Sequence, residues 1–269
     1  MRRTRNYWPI CAGIRASRRQ WWERIARSRK LGEVPHDQLT ELFRAELAGG
    51  PRSAAELIES MTRAGFARAL WEGAGLWLDM VRVPPSGTWE RRRADLYGLA
   101  EHWVRPVRRP NEVAGLRVLL TRYLGAFGPA SIADAAGWSG VPKARLQQVA
   151  SAMDLRTFRD EANTMLLDLH EADLPDPATP APVRFLPSWD ATLLVHCRRS
   201  GILPEDLRSA IFHSKNPQSV GTVLVDGAVA GTWSWRKDHV TVDVLREVAV
   251  TERRDVGVEA DRLTSFYRN

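Results

Sequence analysis

Apolar residues recur at helical spacing through the first two-thirds of the chain, then switch to alternation in the last third. Residues 17–30, SRRQWWERIARSRK, put Trp21, Trp22 and Ile25 on one side of a basic amphipathic helix. Residues 37–48, DQLTELFRAELA, carry the stripe Leu39, Leu42, Phe43 and Leu47, with Asp37 positioned to cap it. Gly49-Gly50-Pro51 stops that helix. Ser53 then opens SAAELIESM with Glu56 three residues on, the spacing of a capping box. A third helix is predicted over roughly 65–78, and DMVRVPP, a Ser86-Gly87 turn and TWERRRADLYGL read as strand, turn, strand.

The same order returns downstream. LRVLLTRYLGA (116–126) is helical, Gly128-Pro129 stops it, and Ser131 with Asp134 opens SIADAAGW. Pro142 is expected in the first turn of the next helix, PKARLQQVASAM, and LRTFRDEANTMLLDL alternates around a polar Asp160–Asn163 turn. Leu42, Arg44, Gly50, Pro51 and Ser53 match Leu120, Arg122, Gly128, Pro129 and Ser131 at one offset of 78 residues. Helix, helix, helix, hairpin is the order of a winged helix. Its third helix can enter a DNA major groove, and its hairpin can touch the flanking backbone.

Residues 174–187, LPDPATPAPVRFLP, hold five prolines and read as a stiff linker. Beyond it, VGTVLVDGAVAGTWSW forms a hairpin turning at Asp226-Gly227, HVTVDVLREVAV alternates, and GVEADRLTSFYRN closes as a helix. The expected fold is therefore α+β: tandem winged-helix units followed by a β-rich C-terminal region. The boundaries read as 1–34, a basic remnant of a preceding winged-helix unit; 35–110 and 111–173, two winged-helix units; 174–187, the linker; and 188–269, the β-rich region with its closing helix.

Composition changes the picture mainly through charge. The net charge is +7, but residues 1–30 alone carry +9 and the remainder carries −2. Such a segment attracts phosphates by counterion release, although a solvated helix face has the same composition. Apolar content of 44% supports a packed core. Cys11 and Cys197 make neither a disulfide framework nor a zinc site, which points to a reducing cytoplasm. No apolar run approaches the ~18 residues of a membrane span.

Signatures for other chemistries are missing. His170-Glu171 lacks a second His at helical spacing, His196-Cys197 is a lone pair, and there is no Walker loop or Gly-x-Ser-x-Gly elbow. GAGLW (73–77) is too short for a dinucleotide fingerprint and reads as helix packing. No metal, nucleotide or other cofactor is expected. Asp190 is either a functional acid or a helix cap. For DNA contact the candidates are Lys143, Arg145, Gln147 and Gln148, on the second unit's third helix. Arg91, Arg92 and Arg93 fit a wing tip, with Arg156 and Arg159 as weaker candidates, and Arg2 and Arg3 belong to the basic N-terminus. Trp233, Trp235, Arg236 and Lys237 mix stacking and basic groups, with the tryptophans read as core.

RYLGAFGPASIADAAGWSG (122–140), FLPSWDATLL (185–194), TVLVDGAVAGTW (222–233) and EADRLTSF (259–266), in this order, resemble the bacterial winged-helix proteins that include AlkZ- and YcaQ-type DNA glycosylases. The resemblance runs from about residue 35 onward. It implies tandem winged helices arranged to hold double-stranded DNA and, for the glycosylase members, metal-free excision of alkylated or crosslinked bases. Those members owe catalysis to a Gln-x-Gln or Gln-x-Asp motif in an additional N-terminal region, and neither spacing occurs here. Gln147-Gln148 are adjacent and lie in another unit, so the role is not carried over. Members typically begin Met-Arg-Gly-Thr-Leu-His. Here Met1, Arg2 and Thr4 match, whereas Arg3, Arg5 and Asn6 depart. The resemblance thus implies a relative whose front third is missing, through a start-site error or a real truncation. Three readings follow: a DNA-binding protein without catalysis in this form, a glycosylase whose catalytic residues lie in a missing N-terminal region, or a protein-interaction module.

Overall fold

The computed structural model describes residues 7–88, 91, 95–104, 111–196, 200–212 and 219–268. The fold is α+β. Helix α1 (Tyr7–Ser28) begins well before the 17–30 pattern, because Trp8, Gly13 and Ile14 are buried along with Trp22 and Ala26. Trp21 departs from expectation and is 49% exposed. Neighbouring residues on a helix point about 100° apart, so with Trp22 in the core Trp21 faces water.

Helix α2 (His36–Ala48) buries Leu39, Phe43 and Leu47 as expected and also His36. Asp37 lies in its first turn, while Pro35 holds the cap position and offers no side-chain bond. Strand β1 (Arg52–Ser53) leads into α3 (Ala54–Arg63), opened by the expected capping box. Ser53 Oγ accepts from the Glu56 N–H at 3.2 Å, and Glu56 Oε2 accepts from the Ser53 N–H at 2.7 Å.

The helix expected over 65–78 is instead a 3-10 turn, Arg68–Gly73, followed by one turn of α4 (Ala74–Trp77). Leu70, Gly73, Ala74 and Trp77 are all buried, so this segment serves the core. A Cβ on Gly73 would meet the Trp22 indole, which fixes a glycine where backbone must lie against the ring. Strands β2 (Met80–Arg82) and β3 (Leu96–Leu99) pair antiparallel, β1 joins the free side of β3, and α5 (Ala100–Trp103) follows.

Helices α6 (Glu112–Phe127), α7 (Ile132–Ser139) and α8 (Lys143–Ala150), with the two-stranded sheet of β4 (Leu155–Arg159) and β5 (Met165–Leu169), repeat the order. The 78-residue echo extends to individual hydrogen-bonded positions. Arg52 pairs with Tyr97 across β1 and β3, and Ala130, its counterpart, pairs with Leu167. Ser131 and Asp134 repeat the box: Ser131 Oγ accepts from the Asp134 N–H at 3.1 Å, and Asp134 Oδ2 accepts from the Ser131 N–H at 3.0 Å. Pro142 caps α8 rather than sitting in its first turn.

Arg184–Leu186, inside the stretch expected to link, form β6. After α9 (Ala191–Leu194) and α10 (Arg208–Ile211) come β7 (Thr222–Val225), β8 (Ala228–Arg236) and β9 (His239–Val244), giving an antiparallel sheet ordered β6-β7-β8-β9. Asp226 and Gly227 turn the β7–β8 hairpin with φ of 50° and 74°, as a two-residue turn of this kind requires. Helix α11 (Val250–Arg268) is longer than its pattern indicated and brings Val256 into the core formed by Val183, Val223, Val225 and Ala230.

Contacts divide the chain into two compact units. One runs to Ala126 and adds Ser139–Leu155; the other joins Phe127–Trp138 to Arg156 and the residues after it. The first is built around Trp22, Leu39, Phe43, Leu47, Leu57 and Met61. The second holds one cluster around Ile211 and Val229 and another around Val223 and Ala230.

Candidate nucleic-acid interface

Ser17, Gln20, Arg24 and Arg27 recur on α1 at three- and four-residue intervals and so share one face. That face, together with Glu23, borders a cleft of about 320 Å³ whose other wall is Gly140 and Pro142, immediately before Lys143 opens α8. Two features hold α1 in place. Gly13 lies directly against Gly115 of α6, and Arg15 Nη2 donates to Asp79 Oδ2 at 2.6 Å. The Asp79 carboxylate is almost fully buried, so this is an anchored pair rather than a surface one.

The four α8 candidates divide into two kinds. Arg145 is half-buried and donates to Glu112 Oε1 of α6 from Nη2 at 3.0 Å and from Nε at 3.3 Å. Its Nη1 donates to Gln148 Oε1 at 2.8 Å, so Arg145 and Gln148 are engaged within the protein. Lys143 and Gln147 are exposed. The charged groups of Lys143, Arg24 and Arg27 have no hydrogen-bond or ion-pair partner among the described residues. Three unpaired cations beside an open cleft can each take an anionic oxygen without first breaking an internal bond.

The remaining candidates are less concentrated. Arg91 is exposed in the β2–β3 connection, where its N–H donates to Thr88 Oγ1 at 3.3 Å and its carbonyl accepts from Gly87 at 2.8 Å. Arg92, Arg93, Arg2 and Arg3 lie outside the described residues. Arg156 is turned inward to Asp168 and the Ala172 carbonyl, and Arg159 holds the Asn163 turn. Asp190 is a helix cap: its Oδ1 accepts from the Thr192 N–H at 2.8 Å. His196 Nε2 lies 3.0 Å from the Phe127 carbonyl. Trp233 is half-buried and donates to the Leu186 carbonyl, whereas Trp235 is 38% exposed.

Sequence reasoning missed Arg24 and Arg27 as members of a site. Their spacing with Ser17 and Gln20 was readable; their neighbourhood with residues 140–142, more than a hundred positions away, was not.

The family model for AlkZ-like DNA glycosylases matches residues 1–266. The chain belongs to the AlkZ-like DNA glycosylase family. This AlkZ-like chain also shares its fold with Streptomyces sahachiroi DNA glycosylase AlkZ, at 20% identity and a TM-score of 0.75, over 97% of this chain and 75% of that one. No functionally curated protein matches it. Among the described residues of this AlkZ-like protein, no group of three or more His, Cys, Asp or Glu is placed to hold a metal ion, and no helix is long and apolar enough to cross a membrane.

Proposed function

We propose that this AlkZ-like chain binds duplex DNA through the cleft between α1 and the start of α8. Residues 35–110 and 111–173 then act as winged-helix units, with α8 as the helix presented to the duplex. One observation carries the reading: Arg24 and Arg27, without partners among the described residues, line a cleft with Glu23, Gly140 and Pro142, and Lys143 beside it has none there either. Cations in a groove replace the condensed counterions of DNA, and their release drives binding. Arg24, Arg27 and Lys143 contact phosphates, and Gln147 is the α8 side chain free to reach a base edge.

Binding occurs without base excision by the residues present. No Gln-x-Gln or Gln-x-Asp spacing occurs in the 269 residues. A second reading, excision of alkylated or crosslinked bases, is favoured by the family match. Incubation of the protein with alkylated duplex DNA, followed by alkaline cleavage of abasic sites, separates the two. Retarded but uncleaved duplex is expected; cleavage above a protein-free control overturns the non-catalytic reading.

A further inference from the structure

A second cavity, of about 650 Å³, opens where α1 ends and α2 begins. Arg19, Glu23 and Arg27 line it from successive turns of α1, Lys30 and Glu33 from the connection, and His36 from the first turn of α2; Glu23 and Arg27 also border the α1–α8 cleft. The lining contains three cations against two carboxylates. Arg19 Nε is already paired with Glu23 Oε1 at 3.3 Å, but Arg27 and Lys30 have no partner for their charged groups among the described residues. The N-terminus of α2 at this cavity has no side-chain cap, although Asp37 lies in its first turn.

His36 supplies an independent sign. Its side chain is only 4% exposed, with the ring edge-on to Trp77 at 4.8 Å. Nε2 lies 3.1 Å from Glu23 Oε1, and the buried Nδ1 has no hydrogen-bond partner among the described residues. A buried ring nitrogen without a partner is costly, and with Nε2 directed at the Glu23 carboxylate, Nδ1 becomes a donor only when the ring is protonated. Among the described residues, no aromatic side chain other than the imidazole lines the cavity, so it suits an oxyanion rather than a stacked base.

We propose that this cavity is a phosphate-binding site, held by Arg19, Arg27 and Lys30 at the α2 N-terminus with His36 at its wall. The occupant is a backbone phosphate of the duplex. This source rests on the DNA-binding reading above; the pocket itself does not. Burial first, and then Arg19, hold His36 below its ordinary value, whereas Glu23 and Asp37 act the other way. An anion beside Arg19, Arg27 and Lys30 offsets their charge and favours the imidazolium, so phosphate raises the His36 titration point.

Histidine NMR on the full chain tests this, with the His36 signal identified by His36→Asn. Inorganic phosphate is expected to raise the His36 titration point where chloride at equal ionic strength does not. The double variant Arg19→Ala/Lys30→Ala is expected to weaken the phosphate response roughly tenfold, with Lys30→Arg retaining it. Phosphate acting no better than chloride, or a double variant that responds like the parent, overturns the pocket. The double variant should also flatten the salt dependence of duplex binding by about 1.8 in log–log slope. An unchanged slope beside a positive phosphate response overturns the backbone source and leaves a small phosphorylated ligand. Arg24→Ala/Lys143→Ala should leave the phosphate response intact, so failure of the α1–α8 cleft is read separately from failure of the pocket.

Discussion

Gly13 of α1 and Gly115 of α6 meet backbone to backbone, with no room for a side chain at either position. A Cβ built on Gly13 would lie 2.7 Å from the Gly115 carbonyl carbon, and one on Gly115 would lie 2.5 Å from the Gly13 nitrogen. Both residues are buried, so the chain cannot relieve the clash by bulging into solvent. This contact sets where α1 lies, and with it the basic face that carries Arg24 and Arg27.

Replacing either glycine should therefore separate the two helices. Gly115→Ala is expected to cost about 1–3 kcal/mol, as overpacking does in a filled core. The control is Gly257→Ala in α11, an exposed helical site where an added Cβ meets nothing. There the change should stabilise by roughly 0.5–1 kcal/mol. Urea denaturation of the three proteins checks the contrast. Equal stability of the parent and Gly115→Ala contradicts it.

The repeated capping boxes should act alike. Ser53→Ala and Ser131→Ala each remove a side-chain acceptor from a helix N-terminus, at a cost of about 1 kcal/mol. Changes measured by denaturation that differ strongly between the two would break the equivalence implied by the 78-residue offset.

Lys143→Ala and Arg145→Ala should separate what the sequence placed together. Lys143 has no partner among the described residues, so its loss should weaken duplex binding and reduce the log–log salt slope by about 0.9. Arg145 is held by Glu112 and Gln148. Both members of the Arg145–Glu112 pair are over a third exposed, so its loss should cost under about 1 kcal/mol and leave most of the slope in place. Anisotropy titrations at several salt concentrations distinguish the two. A larger slope change for Arg145→Ala would show that its internal bonds open on the duplex.

His36 gives a pH dependence of definite sign. Its folded value is lowered, chiefly by burial, so the unfolded chain takes up the proton first as pH falls. Stability from the neutral ring is full above the ordinary histidine value, near 6.5, and is lost as pH falls through the lowered folded value. Denaturation midpoints between about pH 7 and 5 should fall more steeply for the parent than for His36→Gln. Parallel curves would mean that the imidazole is not held neutral.

Much of the architecture was legible because it is local. Capping at Ser53 and Ser131, the Asp226-Gly227 turn and the alternation in 239–244 all depend on residues a few positions apart. The failures were tertiary. Trp21 and Trp22 are equally apolar, and only the packing of Trp22 over Gly73 decides which enters the core. The segment 65–78 is apolar enough for a helix but winds as a 3-10 turn beneath that ring. For the site, sequence identified α8 and the basic N-terminal segment separately. That Arg24 and Arg27 share a cleft with Pro142, and that Arg145 is held by Glu112, are long-range facts with no local signature.

The most direct test is the salt dependence of duplex binding by the parent and by Arg24→Ala/Lys143→Ala. The parent should lose affinity linearly in log–log terms as salt rises, and the double variant should lose about 1.8 from that slope. A parent whose binding is absent or independent of salt, or a double variant with the parent's slope, would contradict the assignment of the α1–α8 cleft to DNA.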